Sequence, residues 1–277
     1  MLDGTTMWLL SQKEWREARR NRWFVLYTVA FAILALSLAW FALSGVGAYG
    51  LAGFGRTGAS LINLVLLIVP LMGLTLGALS VAGERERGTL LYLLAHPVTP
   101  FEVLMGKYLG LAQALGATLI FGFGLSGLLI AWQGGGTQAS VYLGLVAMAF
   151  LLALVSLSLG VLISTACKRG STAIGIALFI WLLLVFVGDL GLMGTALVLH
   201  VGVRDLFTMT LFNPLQVFKL AAILLLHSSL EILGPAGLYA ARTYGVRLLP
   251  LLLCILMAWT IIPLVASWLV LRHRGAF

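Results

Sequence analysis

Residues 59–82 read ASLINLVLLIVPLMGLTLGALSVA, a run with no charged side chain. Such a run is long enough to cross the ~30 Å hydrocarbon core of a bilayer as a helix. Comparable runs occupy residues 23–44, 108–132, 141–166, 171–188 and 248–271. The sequence therefore predicts an all-α, polytopic membrane protein with six transmembrane helices. Charged residues make up 9% of the chain, against about 25% in a soluble domain. With 277 residues, most of them in spans, the chain holds a single membrane domain, 1–277, and no second globular one. The first apolar run is too long for the core of a signal peptide and reads as a retained span.

Lysine and arginine sort between the ends of these spans. Lys13, Arg16, Arg19, Arg20, Arg22, Arg85, Arg87, Lys107, Lys168, Arg169, Arg272 and Arg274 fall on one side, and Arg56, Arg204, Lys219, Arg242 and Arg247 on the other. The richer side is expected to be cytoplasmic, which puts both termini there and accounts for the net charge of +8 without nucleic acid as a partner. Residues 189–247 then lie on the periplasmic side. Within them, 214–233 carries Lys219, His227 and Glu231 at spacings of eight and four, a polar stripe expected on an amphipathic or re-entrant outer helix that touches a partner. His227 reads as a solvated residue on that face and not as a metal ligand.

Residues 1–22 are expected to form an interfacial helix. Trp8, Trp15 and Trp23 recur at spacings of seven and eight residues with charges between them, so the rings would sit at headgroup level while Arg19 and Arg22 meet membrane lipid.

Several motifs suggest chemistry that their setting excludes. Gly122-Phe123-Gly124-Leu125-Ser126-Gly127 matches G-x-G-x-x-G, but it lies inside an apolar run and not between a strand and a helix, so helix packing through small residues is the better account. Gly73/Gly77 and Gly106/Gly110 are G-x-x-x-G pairs with the same implication. The only Gly-Lys pair, Gly106-Lys107, precedes Tyr108, so no P-loop and no catalytic residue is expected in this chain. The spans lack the ionisable residues of a secondary transporter, and no HExxH occurs. Cys167 and Cys254 are far apart, and Met72, Met148 and Met257 are scattered, so neither a disulfide nor a metal site follows.

Residues 83–107, GERERGTLLYLLAHPVTPFEVLMGK, stand out as a polar interlude between two spans. Glu84, Arg85, Glu86, Arg87, Gly88 and Thr89 head a leucine cluster of Leu90, Leu93 and Leu94, and Pro97 ends the first helical piece. Thr99-Pro100-Phe101-Glu102 is a helix start: an N-cap, a proline at the first helical position and a glutamate that closes a capping box. A stiff device fixed to two membrane helices can transmit force. The expectation is that Leu90, Leu93 and Leu94 fill a partner's cleft while Glu84 and Arg87 guide the approach from its rim.

Here the residues resemble a family. E-R-E-R-G-T-L-L-Y-L-L followed by P-V-T-P-F-E-V-L-M-G-K is similar to the first cytoplasmic loop of ABC-2-type transporter permeases, and Lys13-Glu14 with Arg19 to Trp23 is similar to their connecting helix. The resemblance implies an ABC-2 permease fold of the type V exporter kind, a coupling helix in 83–107, a homodimer, and two cytosolic ATPase subunits that hold the ATP and magnesium, with no cofactor in this chain. On GERERGTLLYLL and on L-F-N-P-L-Q-V-F-K, the likeness narrows to permeases that serve copper-centre assembly of nitrous-oxide reductase together with a periplasmic protein. That implies delivery of copper or sulfur, or force applied to the periplasmic partner; the missing metal path favours the last two. A bacterial inner-membrane scaffold that moves nothing, and an exporter of another small or lipid-like cargo, fit the same residues.

Overall fold

The computed structural model describes residues 4–44, 50–90, 98–132, 139–188, 202–226 and 234–274. Among these, helix is the only regular structure: α1 Gly4–Arg20, α2 Arg22–Ser44, α3 Gly50–Glu86, α4 Pro100–Trp132, α5 Ala139–Ala166, α6 Gly170–Phe186, α7 Val203–Leu211, α8 Pro214–Leu225, α9 Gly234–Tyr244 and α10 Leu248–Arg274. Five of them, α2 to α5 and α10, are long and apolar enough to span a bilayer. At 17 residues α6 reaches ~26 Å, the lower limit for a span. Of the six expected spans, five are full-length helices and the one at 171–188 is short; the bent pair α7 and α8 is a further candidate for a sixth crossing.

The core is a three-helix stack. α3 packs along α5, and α5 also carries α10 on another side. Glycine sets the closeness of the first crossing: a Cβ on Gly160 would stand 2.6 Å from the Leu74 carbonyl oxygen, and one on Gly77 2.7 Å from that of Leu157. With no hydrophobic drive between helices inside lipid, backbone contact of this kind is what holds them. The G-x-x-x-G expectation at Gly73/Gly77 is met, since a Cβ on Gly73 would lie 2.8 Å from the Ser156 Cβ. The G-x-G-x-x-G run likewise serves packing: Gly122 lies beneath the Phe31 ring of α2, while Gly124 faces open space.

Residues 203–225 were expected to hold an amphipathic or re-entrant outer helix, and the structure agrees with the second form and not the first. α7 and α8 meet at a 108° bend, the geometry of a re-entrant or broken segment. Asn213 makes the corner: its side chain accepts from the Leu215 N–H at 3.0 Å and donates to the Leu184 carbonyl at the end of α6 at 2.7 Å. α8, expected to be amphipathic, instead buries residues on most of its circumference, among them Leu215, Val217, Phe218, Leu220 and Ala221, against α5 and α10. It stops at Leu225, and Lys219 is half-buried upon it. His227 and Glu231 lie outside the described residues.

Candidate functional site: a polar hub at one end of the bundle

The E-R-E-R run closes α3, and each of its four charged side chains has a different partner. Glu84 is 4% exposed, and its Oε1 accepts from Lys107 Nζ at 2.8 Å and Lys13 Nζ at 3.0 Å. Arg85 donates to the carbonyls of Thr165 and Cys167 at 3.3 and 2.6 Å, meeting the oxygens left over where α5 ends. Glu86 accepts from the Gly170 N–H at 2.9 Å, at the first turn of α6. Arg87 turns back on the Gly83 carbonyl at 3.0 Å and is exposed. Gly88, at φ +74°, then breaks the helix in a conformation that side-chain-bearing residues avoid. Thr89 donates to the Glu84 carbonyl at 3.2 Å, securing the turn.

Lys107 is the centre of this hub. It is 1% exposed, and its ammonium also holds Glu14 Oε1 of α1 at 2.6 Å. A charge buried to that degree must be paired, because unpaired it costs several kcal/mol. Lys13 adds weaker links to Glu17 at 3.5 Å and Glu14 at 4.0 Å. Burial pushes the Glu14 carboxyl above its ordinary value, and the adjacent Lys107 charge offsets part of that rise. The oxygens of Glu14, Glu17 and Glu84 lie within 4.8 Å of one another, a spacing at which carboxylates can share a cation; here the lysine ammoniums fill that role.

α1 reaches the hub over a glycine face. A Cβ on Gly106 would be 2.6 Å from the Leu10 Cβ, and one on Gly110 2.5 Å from the Ser11 carbonyl oxygen. The second G-x-x-x-G pair therefore seats α1 across α4, with Lys107 between the two glycines. Trp15 is half-buried with Arg19 over its ring at 5.6 Å, Trp8 is exposed at 57%, and Arg22 is exposed at the start of α2. α4 starts as its sequence requires: Thr99 N–H donates to Glu102 Oε2 at 2.8 Å, and Glu102 N–H to Thr99 Oγ1 at 3.3 Å, a reciprocal capping box. Phe101 meets Trp268 of α10 edge to face at 6.3 Å, and Arg272 lies over that same indole.

Thus α1, the end of α3, the start of α4, the end of α5, the start of α6 and the end of α10 gather at one end of the bundle. Close by, Ser164 of α5 enters the α3 ladder, donating to the Ala78 carbonyl and accepting from the N–H groups of Val81 and Ala82. Two expectations change. Glu84 is a buried internal partner and not an exposed rim charge, and Leu90 is 1% exposed within this chain itself. Leu93, Leu94 and Pro97 lie outside the described residues. Glu14 and Lys107 were missed as site residues. Their signal was a lysine set between the two glycines of a packing face, at the edge of an apolar run, where it must find an acid.

Residues 8–275 match the family described as ABC-2 family transporter protein. The chain is 32% identical to Probable ABC transporter permease protein NosY of Stutzerimonas stutzeri, over 97% of this chain and 98% of that protein. It is also 32% identical to the protein of the same name from Pseudomonas aeruginosa, over 77% of this chain and 80% of that protein. The family match over residues 8–275 and the likeness to NosY over 97% of the chain agree with this bundle of membrane-length helices, and the chain belongs to the ABC-2 family of transporter permeases.

Proposed function

We propose that this chain is a NosY-like permease of a bacterial inner membrane that, as a homodimer, converts ATP hydrolysis on two NosF-like cytosolic subunits into movement of its outer half. On this reading the ATP and magnesium belong to those subunits and the chain has no cofactor of its own. A NosD-like periplasmic protein above receives either sulfur-containing cargo or force, in the service of copper-centre assembly of nitrous-oxide reductase. Lys219, His227 and Glu231 are then candidates for contact with that protein. The observation that carries the reading is the bonding of the E-R-E-R run to α1, α4, α5 and α6. A push on residues 87–99 reaches α1 and α4 through the buried Glu84 and Lys107 ion pairs, and the α5–α6 turn through the bonds of Arg85 and Glu86, which a solvated loop cannot do. The hub end is the cytoplasmic one, in keeping with its excess of lysine and arginine.

Within the coupling segment the roles divide. Glu84, Arg85 and Glu86 pass the displacement inward; Arg87 and Leu93 and Leu94 meet the ATPase, with Leu90, Gly88, Thr89 and Pro97 shaping the segment. Leu93→Ala with Leu94→Ala should remove most ATPase from the purified complex, each truncation weakening docking roughly tenfold, as expected for buried interface anchors. Because neither side chain belongs to a span, membrane abundance should hold. An ATPase retained at wild-type stoichiometry would sink the coupling assignment.

A further inference from the structure

α6 is tied to the rest of the chain by polar atoms at both ends and in between. At its first turn the Gly170 N–H donates to Glu86, and the turn before it gives the Thr165 and Cys167 carbonyls to Arg85. Three turns on, Trp181 Nε1 donates to the Leu67 carbonyl of α3 at 3.1 Å. One turn beyond that, the Leu184 carbonyl accepts from Asn213 Nδ2 at 2.7 Å, at the corner between α7 and α8. The fit there is close, since a Cβ on Gly188 would stand 2.7 Å from the same Nδ2. The buried residues of α6, Gly170, Ala173 and Ala177, are all small, so it meets α3 along a smooth face, and Trp181 is the next position on the Ala173/Ala177 stripe.

α3 is poorly made to carry a push along its whole length. Pro70 lies inside it, without the N–H that would bond the Leu66 carbonyl and with a ring that crowds that oxygen, so α3 bends most easily there. On the hub side of Pro70, α3 is locked to α5 by the close crossing at Gly73 and Gly77 and by the three bonds of Ser164. A displacement of the hub therefore moves that half of α3 and α5 as one block. α6 has no proline, and its Leu184 stands ~21 Å along the helix from Gly170. We propose that α6 is the strut that carries the hub's displacement past Pro70 to the α7–α8 pair, with Trp181 and Asn213 as its positioning residues. This rests on the ATP-driven movement of the outer half proposed above and names the part that transmits it. The pair is a suitable receiver: Asn213 also caps α8 through the Leu215 N–H, so a shift of Leu184 moves the start of α8. Satisfying carbonyls within a bilayer would account for both bonds without any motion, so the deciding readout is movement.

In the complex purified with its ATPase subunits, an environment-sensitive fluorophore is attached through Lys168→Cys, in the turn before α6, or through Thr208→Cys on α7, both exposed positions, with Cys167 and Cys254 replaced by alanine. ATP with vanadate should shift both probes. Trp181→Phe keeps a ring and loses the N–H; it should leave the response at position 168 in full and weaken that at 208 about fivefold, the change in equilibrium expected of one neutral hydrogen bond. Asn213→Ser keeps an oxygen to cap α8 and loses the reach to Leu184, and it should act in the same way. Because the two bonds lie in series on one strut, the double variant should lose little more than either single one. Wild-type responses at 208 in both variants, or losses that simply add, would overturn the strut and leave the ATP-driven movement standing. A wild-type background in which neither probe responds would overturn both. Should one variant fail to fold, the other decides alone.

Discussion

Lys107→Met should destabilise the chain by ~3–5 kcal/mol, the cost of breaking a buried ion pair from one side. The substitution nearly conserves volume, so packing is not what fails. It leaves the carboxylates of Glu14 and Glu84, 6% and 4% exposed, with Lys13 as their remaining counter-charge, and that side chain is 40% exposed and screened by water. Thermal unfolding in detergent, followed by a tryptophan or size-exclusion readout, should show a transition lowered by several degrees. Adding Glu14→Gln and Glu84→Gln to Lys107→Met should recover most of the loss, because removing all members of a buried ionic cluster is far cheaper than orphaning one. A Lys107→Met chain as stable as wild type would mean that the cluster is hydrated and the hub is not a rigid joint. If the joint is rigid, the triple variant should be stable yet show weakened ATP-driven turnover, since α1, α3 and α4 would no longer move together.

Gly160→Val is expected to have the second large effect, by a purely steric route. The three atoms nearest a Cβ at Gly160 are the Leu74 carbonyl oxygen at 2.6 Å and the Cα atoms of Gly77 and Leu74 at 3.0 Å, all backbone and unable to step aside. α3 and α5 must then part by roughly an ångström. One turn further on, that separation pulls Ser164 out of the α3 ladder, where its bonds to Ala78, Val81 and Ala82 are 2.7 to 2.9 Å long. Overpacking accounts for ~1–3 kcal/mol and the orphaned buried groups for a similar amount. Gly124→Val provides the contrast: the same change, in another membrane-spanning helix, where no atom lies within 4 Å. It should stay within ~0.5 kcal/mol of wild type. If both variants lowered the unfolding temperature alike, generic loss of glycine flexibility would be the cause, and the close crossing would not be.

Much of this architecture was legible in the sequence because membrane spans obey a composition rule that needs no tertiary context. The 59–82 run, the Thr99/Glu102 capping box and the two G-x-x-x-G faces were all readable from neighbours in the chain. The amphipathic alternative for α8 failed for the opposite reason. Its Lys219 suggested a wet face, but the 108° bend at Asn213 turns the helix into the bundle, and a bend depends on what α6 offers at Leu184. The hub was legible only in part. E-R-E-R was visible as four charges, but their separate assignments to α4, α5 and α6 depend on contacts between segments distant in the chain, 82 residues apart for Arg85 and Cys167. Glu84 looked like a surface charge because the residue that buries it, Lys107, is invisible as its partner until α3 and α4 are laid side by side.

The order in which the hub's members leave the ribosome has a consequence for biogenesis. Glu14 and Glu84 are both synthesised before Lys107. When α4 enters the bilayer, the two carboxylates that neutralise its lysine are therefore already made, and the ammonium never has to be buried unpaired. Arg85 and Glu86 face the reverse situation: Thr165, Cys167 and Gly170 arrive some eighty residues later. The first part of the chain can thus close on itself while two charges at its edge stay open, as docking points for the α5–α6 hairpin when it is translated. A nascent chain stopped after Trp132 is expected to resist protease through α1, and one stopped before Lys107 to be cut there.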